Sequence, residues 1–219
     1  MAVETLVESY RKFREKCDKE YVQHFQKLAK EGQNPKTFFI SCSDSRVVPN
    51  LITHTRPGDL FIDRNIGNIV PPFEEGGKCC AVSASIEYAI FSLEVENIIV
   101  CGHSHCGACK ALYEDLPQES SVAHIGRWLE YAQGAKEQAL ALVGSEDKKA
   151  LLVATEKFNV VEQLKHLMTY PLVKERVLEG RLFLQGWYYH IGDGSLEYFD
   201  PVIHAFRPIE RLMEEQNAE

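Results

Sequence analysis

The first pattern along the chain is a stripe of apolar residues at steps of three and four. The stripe comprises Leu6, Tyr10, Phe13, Cys17, Tyr21, Phe25 and Leu28. This spacing places the side chains on one side of an α-helix, so it predicts a helix over 6–28 with one buried face. Gly32 and Pro35 are expected to end that helix. Residues 1–35 are therefore treated as an N-terminal helical arm.

Short apolar runs follow the arm and are typical of strands buried in a parallel sheet. Such runs cover 37–41, 60–63 and 97–101, and 181–190 alternates as a strand does. The Asp193-Gly194 turn leads into 196–199 and predicts a hairpin at the edge of the sheet. Helical spacing covers 79–93, 108–114, 122–143, 147–168, 171–179 and 209–215.

Strands that are separated by helices predict an α/β fold. We expect a mostly parallel central sheet with one antiparallel edge strand, flanked by helices and preceded by the helical arm. The sequence has no internal repeat and no linker, which predicts a single domain over 1–219. Its sheet core is expected over 36–204 and a C-terminal helix and tail over 205–219.

Composition and charge narrow the class of protein. Apolar residues make up 45% and charged residues 26% of the 219 positions, as in ordinary globular proteins. The net charge of −8, from 24 basic and 32 acidic residues, disfavours nucleic acid as a partner. The N-terminus lacks the apolar run of a signal peptide, and no stretch approaches membrane-spanning length. We therefore expect a cytoplasmic protein without a membrane partner.

Seven cysteines are an odd number in a chain without an export signal, which favours free thiols or metal ligands over disulfides. Polar clusters around Cys42 and around His103 directly follow two predicted strands. Ligand sites collect at the carboxyl ends of parallel strands, so these clusters are expected to meet. Cys42, His103 and Cys106 would give a catalytic zinc ion three ligands and leave its fourth position for water.

Other interpretations of these residues remain open. Cys42 is also explained as an ordinary buried thiol. Cys106 and Cys109 have the spacing of a redox Cys-x-x-Cys pair, and a zinc-stabilised binding protein without catalysis is a further class. His105 is the other candidate ligand, but His103 is favoured because two residues separate it from Cys106.

Asp44 and Arg46 follow Cys42 at alternate positions and are the candidate catalytic pair. An arginine can hold a carboxylate through two parallel hydrogen bonds, which orients the carboxylate and keeps it ionised. The alternative is a loop salt bridge with little effect on stability. A closed four-thiolate zinc site would have no need of Asp44. The pair therefore favours a zinc site with one open position.

Taken together, Cys42-Ser-Asp44-Ser-Arg46 and His103-Ser-His-Cys106-Gly resemble the paired signature of the β-class carbonic anhydrases. The resemblance continues, in the same order, through Arg64-Asn65, Pro71-Pro72-Phe73, Ile86-Glu87-Tyr88-Ala89 and Gly186-Trp187-x-Tyr189. Only 117–147 is without clear similarity. The resemblance thus spans most of the chain.

The resemblance implies a zinc-dependent lyase that reversibly hydrates carbon dioxide to bicarbonate and a proton. One zinc ion per chain would be held by Cys42, His103 and Cys106. Asp44 would accept a hydrogen bond from the attacking hydroxide, and Arg46 would keep Asp44 away from the metal. The family also implies an obligate homodimer, with tetramers as a larger assembly.

Family members differ in whether the aspartate can itself bind zinc. Where the aspartate can bind zinc, the protein has a second bicarbonate pocket, which consists of a tryptophan, an arginine and a tyrosine. The matching positions here are Phe39, Arg64 and Tyr189, so the tryptophan is missing. We therefore expect the plant-like, open form of the site.

The substrate pocket implied by the plant-like members consists of Gln33, Phe61, Ile66 and Tyr88. Carbon dioxide is apolar and needs a small apolar pocket, for which Phe61 and Ile66 are suitable. Gln33 would supply one amide donor from across the dimer. Without the family, a turn cap for Gln33 and a core position for Phe61 are the simpler interpretation.

Overall fold

The strands lie side by side in one mixed sheet. The computed structural model describes residues 2–75, 80–115 and 123–216. The strands are β1 (Thr37–Cys42), β2 (Leu60–Asn65), β3 (Asn97–His103), β4 (Phe183–Tyr189), β5 (Leu196–Asp200) and β6 (Ala205–Pro208). Their order is β2-β1-β3-β4-β5-β6; the pairs from β2 to β4 are parallel, and β5 pairs antiparallel with both β4 and β6. The predicted α/β fold is confirmed.

The antiparallel edge is one strand wider than predicted. Strand β6 pairs with β5 through Phe206, which lies opposite Phe199, and it belongs to the segment expected to be helix and tail. The four residues of β6, Ala-Phe-Arg-Pro, do not alternate between apolar and polar, so the sequence pattern does not predict a strand there. Pro208 ends this outermost strand, a position at which its missing N–H costs no ladder hydrogen bond.

Helices flank the sheet and precede it. They are α1 (Val3–Lys16), α2 (Lys19–Glu31), α3 (Pro49–Ile52), α4 (Ala81–Phe91), α5 (Gly107–Ala111), α6 (Ala123–Leu129), α7 (Gln133–Val143), α8 (Lys148–Leu167), α9 (Pro171–Leu178) and α10 (Glu210–Gln216). The described residues include no helix that is long and apolar enough to cross a membrane.

The helical arm differs from the single helix that its apolar stripe predicts. Cys17 is extended, and the Asp18 side chain accepts a hydrogen bond from Tyr21 N at 2.8 Å, so a second helix begins there. Neither α1 nor α2 has a buried residue within one chain. Tyr10 is 60% and Phe13 46% exposed, so the predicted burial of one face does not occur inside the monomer.

Helix α8 covers the sheet and holds the segments that carry the site. It packs directly on β3 and β4, where a Cβ on Gly102 or Gly186 would lie 2.6 or 2.8 Å from a methyl of Val160. Its buried face also carries polar residues. Asn159 Nδ2 donates to Gly67 O at 2.9 Å, which fixes the segment after β2 against the helix.

Candidate metal centre

The three predicted zinc ligands meet at the carboxyl end of the sheet. Cys42 is the last residue of β1, His103 is the last of β3, and Cys106 directly precedes α5. Their ligand atoms all lie within 4.8 Å of one another, and all three side chains are buried. Among the described residues, no other group of three or more histidine, cysteine, aspartate or glutamate side chains brings its ligand atoms this close together.

His103 directs a buried ring nitrogen without a hydrogen-bond partner toward the two thiols. Its Nδ1 lies 2.9 Å from the Ser104 carbonyl oxygen, which can only accept, so Nδ1 carries the proton. The other nitrogen, Nε2, is buried without a hydrogen-bond partner. A buried lone pair beside two sulfur atoms suits a zinc ion, which binds imidazole nitrogen and thiolate sulfur.

Hydrogen bonds between the thiols, together with burial, raise the pKa of two of the cysteines. A hydrogen bond with Cys106 and burial raise the pKa of Cys42 to about 12. A hydrogen bond with Cys109 raises the pKa of Cys106. A bound metal ion would keep both of these thiols deprotonated, as zinc ligands must be.

The remaining alternative ligands lie beside the group without belonging to it. Cys109 is 2% exposed and packs with Cys42 and Cys106, yet it is not part of the group of close ligand atoms. His105 is exposed, with a φ of 58°, and it too is outside that group. His103 is therefore the histidine that the fold brings to the two thiols.

Asp44 and Arg46 form the predicted bidentate pair. Arg46 donates from Nε to Asp44 Oδ1 at 2.9 Å and from Nη2 to Oδ2 at 2.7 Å. These hydrogen bonds hold the pKa of the Asp44 carboxyl well below its usual range. The Asp44 side chain is 17% exposed and that of Arg46 48%, so the pair lies at the rim of the site.

Two further residues brace the loops of the site, and local sequence spacing did not identify either role. Arg64 donates to the carbonyl oxygens of Cys42 and Asp44 at 3.2 and 2.7 Å. Glu156 is 1% exposed and accepts a hydrogen bond from Cys106 N at 2.8 Å. The available signal for Glu156 was a polar residue on the buried face of α8, where a charge requires partners.

The predicted substrate residues lie at opposite ends of the strands. Ile66 directly follows β2 beside the ligand edge and is 51% exposed. Phe61 and Tyr88 contact each other, with ring centroids 5.8 Å apart. Phe61 pairs with Phe38, four residues before Cys42 on the neighbouring strand. That separation is about 13 Å along the strand.

Gln33 is exposed on the segment between α2 and β1. It precedes the amino end of β1, whereas Cys42 ends that strand. Within one chain, the fold therefore does not bring Gln33, Phe61 or Tyr88 against the three ligands.

Comparison with known proteins identifies the family. The family model described as carbonic anhydrase matches residues 37–196, which include all three ligands. The chain belongs to the carbonic anhydrases. The enzyme is 39% identical to a carbonic anhydrase of Synechocystis over 206 residues, or 93% of this chain and 73% of the relative. It is 43% identical to a Pseudomonas aeruginosa carbonic anhydrase over 184 residues, or 84% and 81% of the two chains.

Solved structures place this carbonic anhydrase in the β class. The β-carbonic anhydrase CcaA superposes with a TM-score of 0.87 at 39% identity, covering 94% of this chain and 98% of that one. A tetrameric β-carbonic anhydrase of Sordaria macrospora superposes with a TM-score of 0.77 at 30% identity, covering 90% and 95%. The protein is thus a β-class carbonic anhydrase, a lyase that hydrates carbon dioxide with zinc as its cofactor.

Proposed function

We propose that hydration of carbon dioxide takes place at a zinc ion held by Cys42, His103 and Cys106. The observation that carries this assignment is the unpartnered, buried Nε2 of His103 beside two thiol sulfurs within 4.8 Å. When bound there, zinc acidifies water and so supplies hydroxide as a nucleophile near neutral pH. The residues around the ligands orient the reactants and keep the site in shape.

Asp44 is proposed to orient the nucleophile by accepting a hydrogen bond from it. Three donors already hold this carboxylate, namely Nε, Nη2 and the backbone N–H of Arg46. Oδ2 accepts only one of these bonds and retains a lone pair for the nucleophile. Arg46 keeps Asp44 ionised, so the carboxylate acts as an acceptor and never as a donor at neutral pH.

The open form of the site is proposed for this enzyme. Its support is that both oxygens of Asp44 are bonded to Arg46, and the carboxylate does not belong to the group of close ligand atoms. Phe39 stands where the closed-capable relatives have a tryptophan. Its ring is fully buried and packs edge-on against Trp187 with centroids 5.8 Å apart, so it fills that space with an apolar group.

The proposed substrate pocket consists of Gln33, Phe61, Ile66 and Tyr88. All of these except Ile66 are proposed to act across a subunit boundary. Their placement supports this proposal, because in their own chain these three residues lie toward the amino ends of the strands, whereas Cys42 lies at the carboxyl end of β1. Phe61 and Tyr88 would provide an apolar wall and Gln33 an amide donor. A second chain is needed to bring them to a zinc site.

An obligate homodimer, or a tetramer built from such dimers, is the proposed assembly. The arm carries an apolar stripe that its own chain leaves uncovered, including Leu6 at 56% and Tyr10 at 60% exposure. Such a surface is typical of a protein interface. Sedimentation of the native chain should give at least the dimer mass, and Leu6→Lys with Tyr10→Lys should weaken the assembly. A native monomer with full activity would contradict the proposal.

A cytoplasmic location is proposed because zinc binding through Cys42 and Cys106 requires both thiols to stay reduced. We also propose that 1–219 acts as a single domain. Neither point is needed for the chemistry of the site.

The catalytic proposal is tested by measuring zinc content and stopped-flow hydration of carbon dioxide on the same preparation. One zinc per chain and rapid hydration are expected. Full zinc without hydration would favour a zinc-stabilised binding protein. A zinc-free chain with a reversible Cys106–Cys109 disulfide would favour the dithiol alternative.

The open form of the site has a test of its own. It predicts a smooth decline of hydration activity from pH 9 to 6.5, and a cooperative loss with bicarbonate inhibition would contradict it.

A further inference from the structure

The peptide group between His105 and Cys106 is held from both sides. Its carbonyl oxygen, on His105, accepts a hydrogen bond from Arg46 Nη2 at 3.2 Å. Its N–H, on Cys106, donates to Glu156 Oε1 at 2.8 Å. Arg46 lies on the loop after β1 and Glu156 lies on α8, so two distant segments fix one peptide plane.

This peptide plane needs external support. His105 has a φ of 58°, a left-handed conformation that is unfavourable for a residue with a side chain. Cys106 follows in an extended conformation, with φ −71° and ψ 118°. Loss of either hydrogen bond would let the backbone at His105 and Cys106 shift, and such a shift would carry the Cys106 sulfur away from His103 Nε2 and Cys42.

Glu156 is itself held rigidly. Its second oxygen, Oε2, accepts a hydrogen bond from the Tyr188 hydroxyl at 2.6 Å. The Tyr188 ring lies beneath the Lys157 ammonium, at 5.1 Å from the ring centroid, and packs edge-on against His190 at 4.9 Å. Both carboxylate oxygens are thus engaged, and turning the side chain would leave a buried donor without a partner.

We propose that Glu156 is a positioning residue of the zinc site, which acts through the Cys106 N–H and opposes Arg46 on the same peptide. The proposal rests on the proposed role of Cys106 as a zinc ligand. The two bonds set the direction of the Cys106 side chain before a metal ion binds. Groups that orient metal ligands in this way typically change metal affinity by about 10- to 100-fold.

The test measures the rate at which zinc leaves the loaded enzyme for a chromogenic chelator. Glu156→Ala should release zinc roughly 10- to 100-fold faster than the native enzyme. After replacement of zinc by cobalt, its thiolate-to-metal charge-transfer band should shift, because the Cys106 sulfur changes direction. Glu156→Gln should restore both properties, since its amide oxygen can accept from Cys106 N. If Glu156→Ala does not fold, Glu156→Met fills the space without a strong acceptor and carries the same expectation.

Gln163→Ala is the matched control. Gln163 is also fully buried on α8, and its Oε1 also accepts a backbone N–H, that of Val70 at 2.8 Å. The lost bond should lower stability, yet zinc release and the cobalt spectrum should stay native because Gln163 makes no hydrogen bond to any of the three ligand residues.

Native zinc release and a native cobalt spectrum in Glu156→Ala would overturn the positioning role, as would equal effects of Glu156→Ala and Gln163→Ala. Cys106→Ser with native zinc binding would instead overturn the ligand assignment. The two failures are therefore distinguishable.

Discussion

Arg46 donates to both carboxylate oxygens of Asp44, from Nε at 2.9 Å and from Nη2 at 2.7 Å. A guanidinium in this geometry matches the fork of a carboxylate, so the bonds fix direction as well as charge. The same Nη2 donates to the carbonyl oxygen of His105, the residue before the proposed ligand Cys106. The arginine therefore joins the carboxylate of one polar cluster to the backbone of the other.

Asp44→Asn should lower kcat/KM for hydration by roughly 10- to 100-fold while zinc content stays at one per chain. The amide offers the nucleophile a donor as well as an acceptor and no longer pairs with Arg46 through two accepting oxygens. Stopped-flow hydration and metal analysis on one preparation measure both effects.

Asp193→Asn is the matched control for that variant. Asp193 Oδ1 also accepts the backbone N–H two residues ahead, that of Ser195 at 2.9 Å, but it lies in the turn before β5. Its hydration rate should stay native. A native rate for Asp44→Asn would show that the carboxylate does not orient the nucleophile.

Cys106→Ser should lose zinc, whereas Cys109→Ser should retain it. Both sulfurs lie in one buried cluster, but only that of Cys106 comes within 4.8 Å of both Cys42 and His103. Zinc per chain after dialysis against a weak chelator is the measurement. Equal loss in both variants would indicate that the cluster binds metal through Cys109 as well.

The sequence predicted the group of candidate zinc ligands because their signals are local. Cys42 and His103 each end a strand, Cys106 lies three residues after His103, and a parallel sheet brings such strand ends together. Glu156 could not be found in this way, since 50 residues separate it from Cys106 and no spacing links them. Its partner is set by how α8 lies across the sheet.

The contrast between local signals and contacts that form only in the folded chain also explains where the observed fold differs from the predicted one. The apolar stripe of the arm continues through Cys17 with helical spacing, so periodicity alone predicts one helix. The break depends on the hydrogen bond from Tyr21 N to Asp18, which competes with continuation of the helix. Strand β6 depends on pairing with β5, a contact that four residues do not encode locally.

Asp200→Asn should remove part of the loss of stability in acid. A hydrogen bond from Arg207, followed by that from Val202 N, lowers the pKa of Asp200 in the folded chain. Its stabilising contribution is therefore present above the unfolded pKa of about 3.9 and is lost as pH falls through the lower folded value. The difference in free energy of unfolding between native and variant chains should shrink below about pH 4. Urea unfolding at several pH values measures it, and a difference that grows in acid would contradict the assignment.

Gly102→Ala should destabilise the fold by about 1–3 kcal/mol, because the new methyl group overpacks the contact between β3 and α8. A Cβ at Gly102 would lie 2.6 Å from Val160 Cγ2 and 3.5 Å from the Glu156 carbonyl oxygen. Val160→Ala removes the first of these obstacles, so the double variant should be more stable than the sum of the two single effects predicts. Thermal unfolding of the four chains gives this coupling. Additive losses would mean that the backbone at Glu156, and not the Val160 methyl, sets the distance between α8 and the strand that ends in His103.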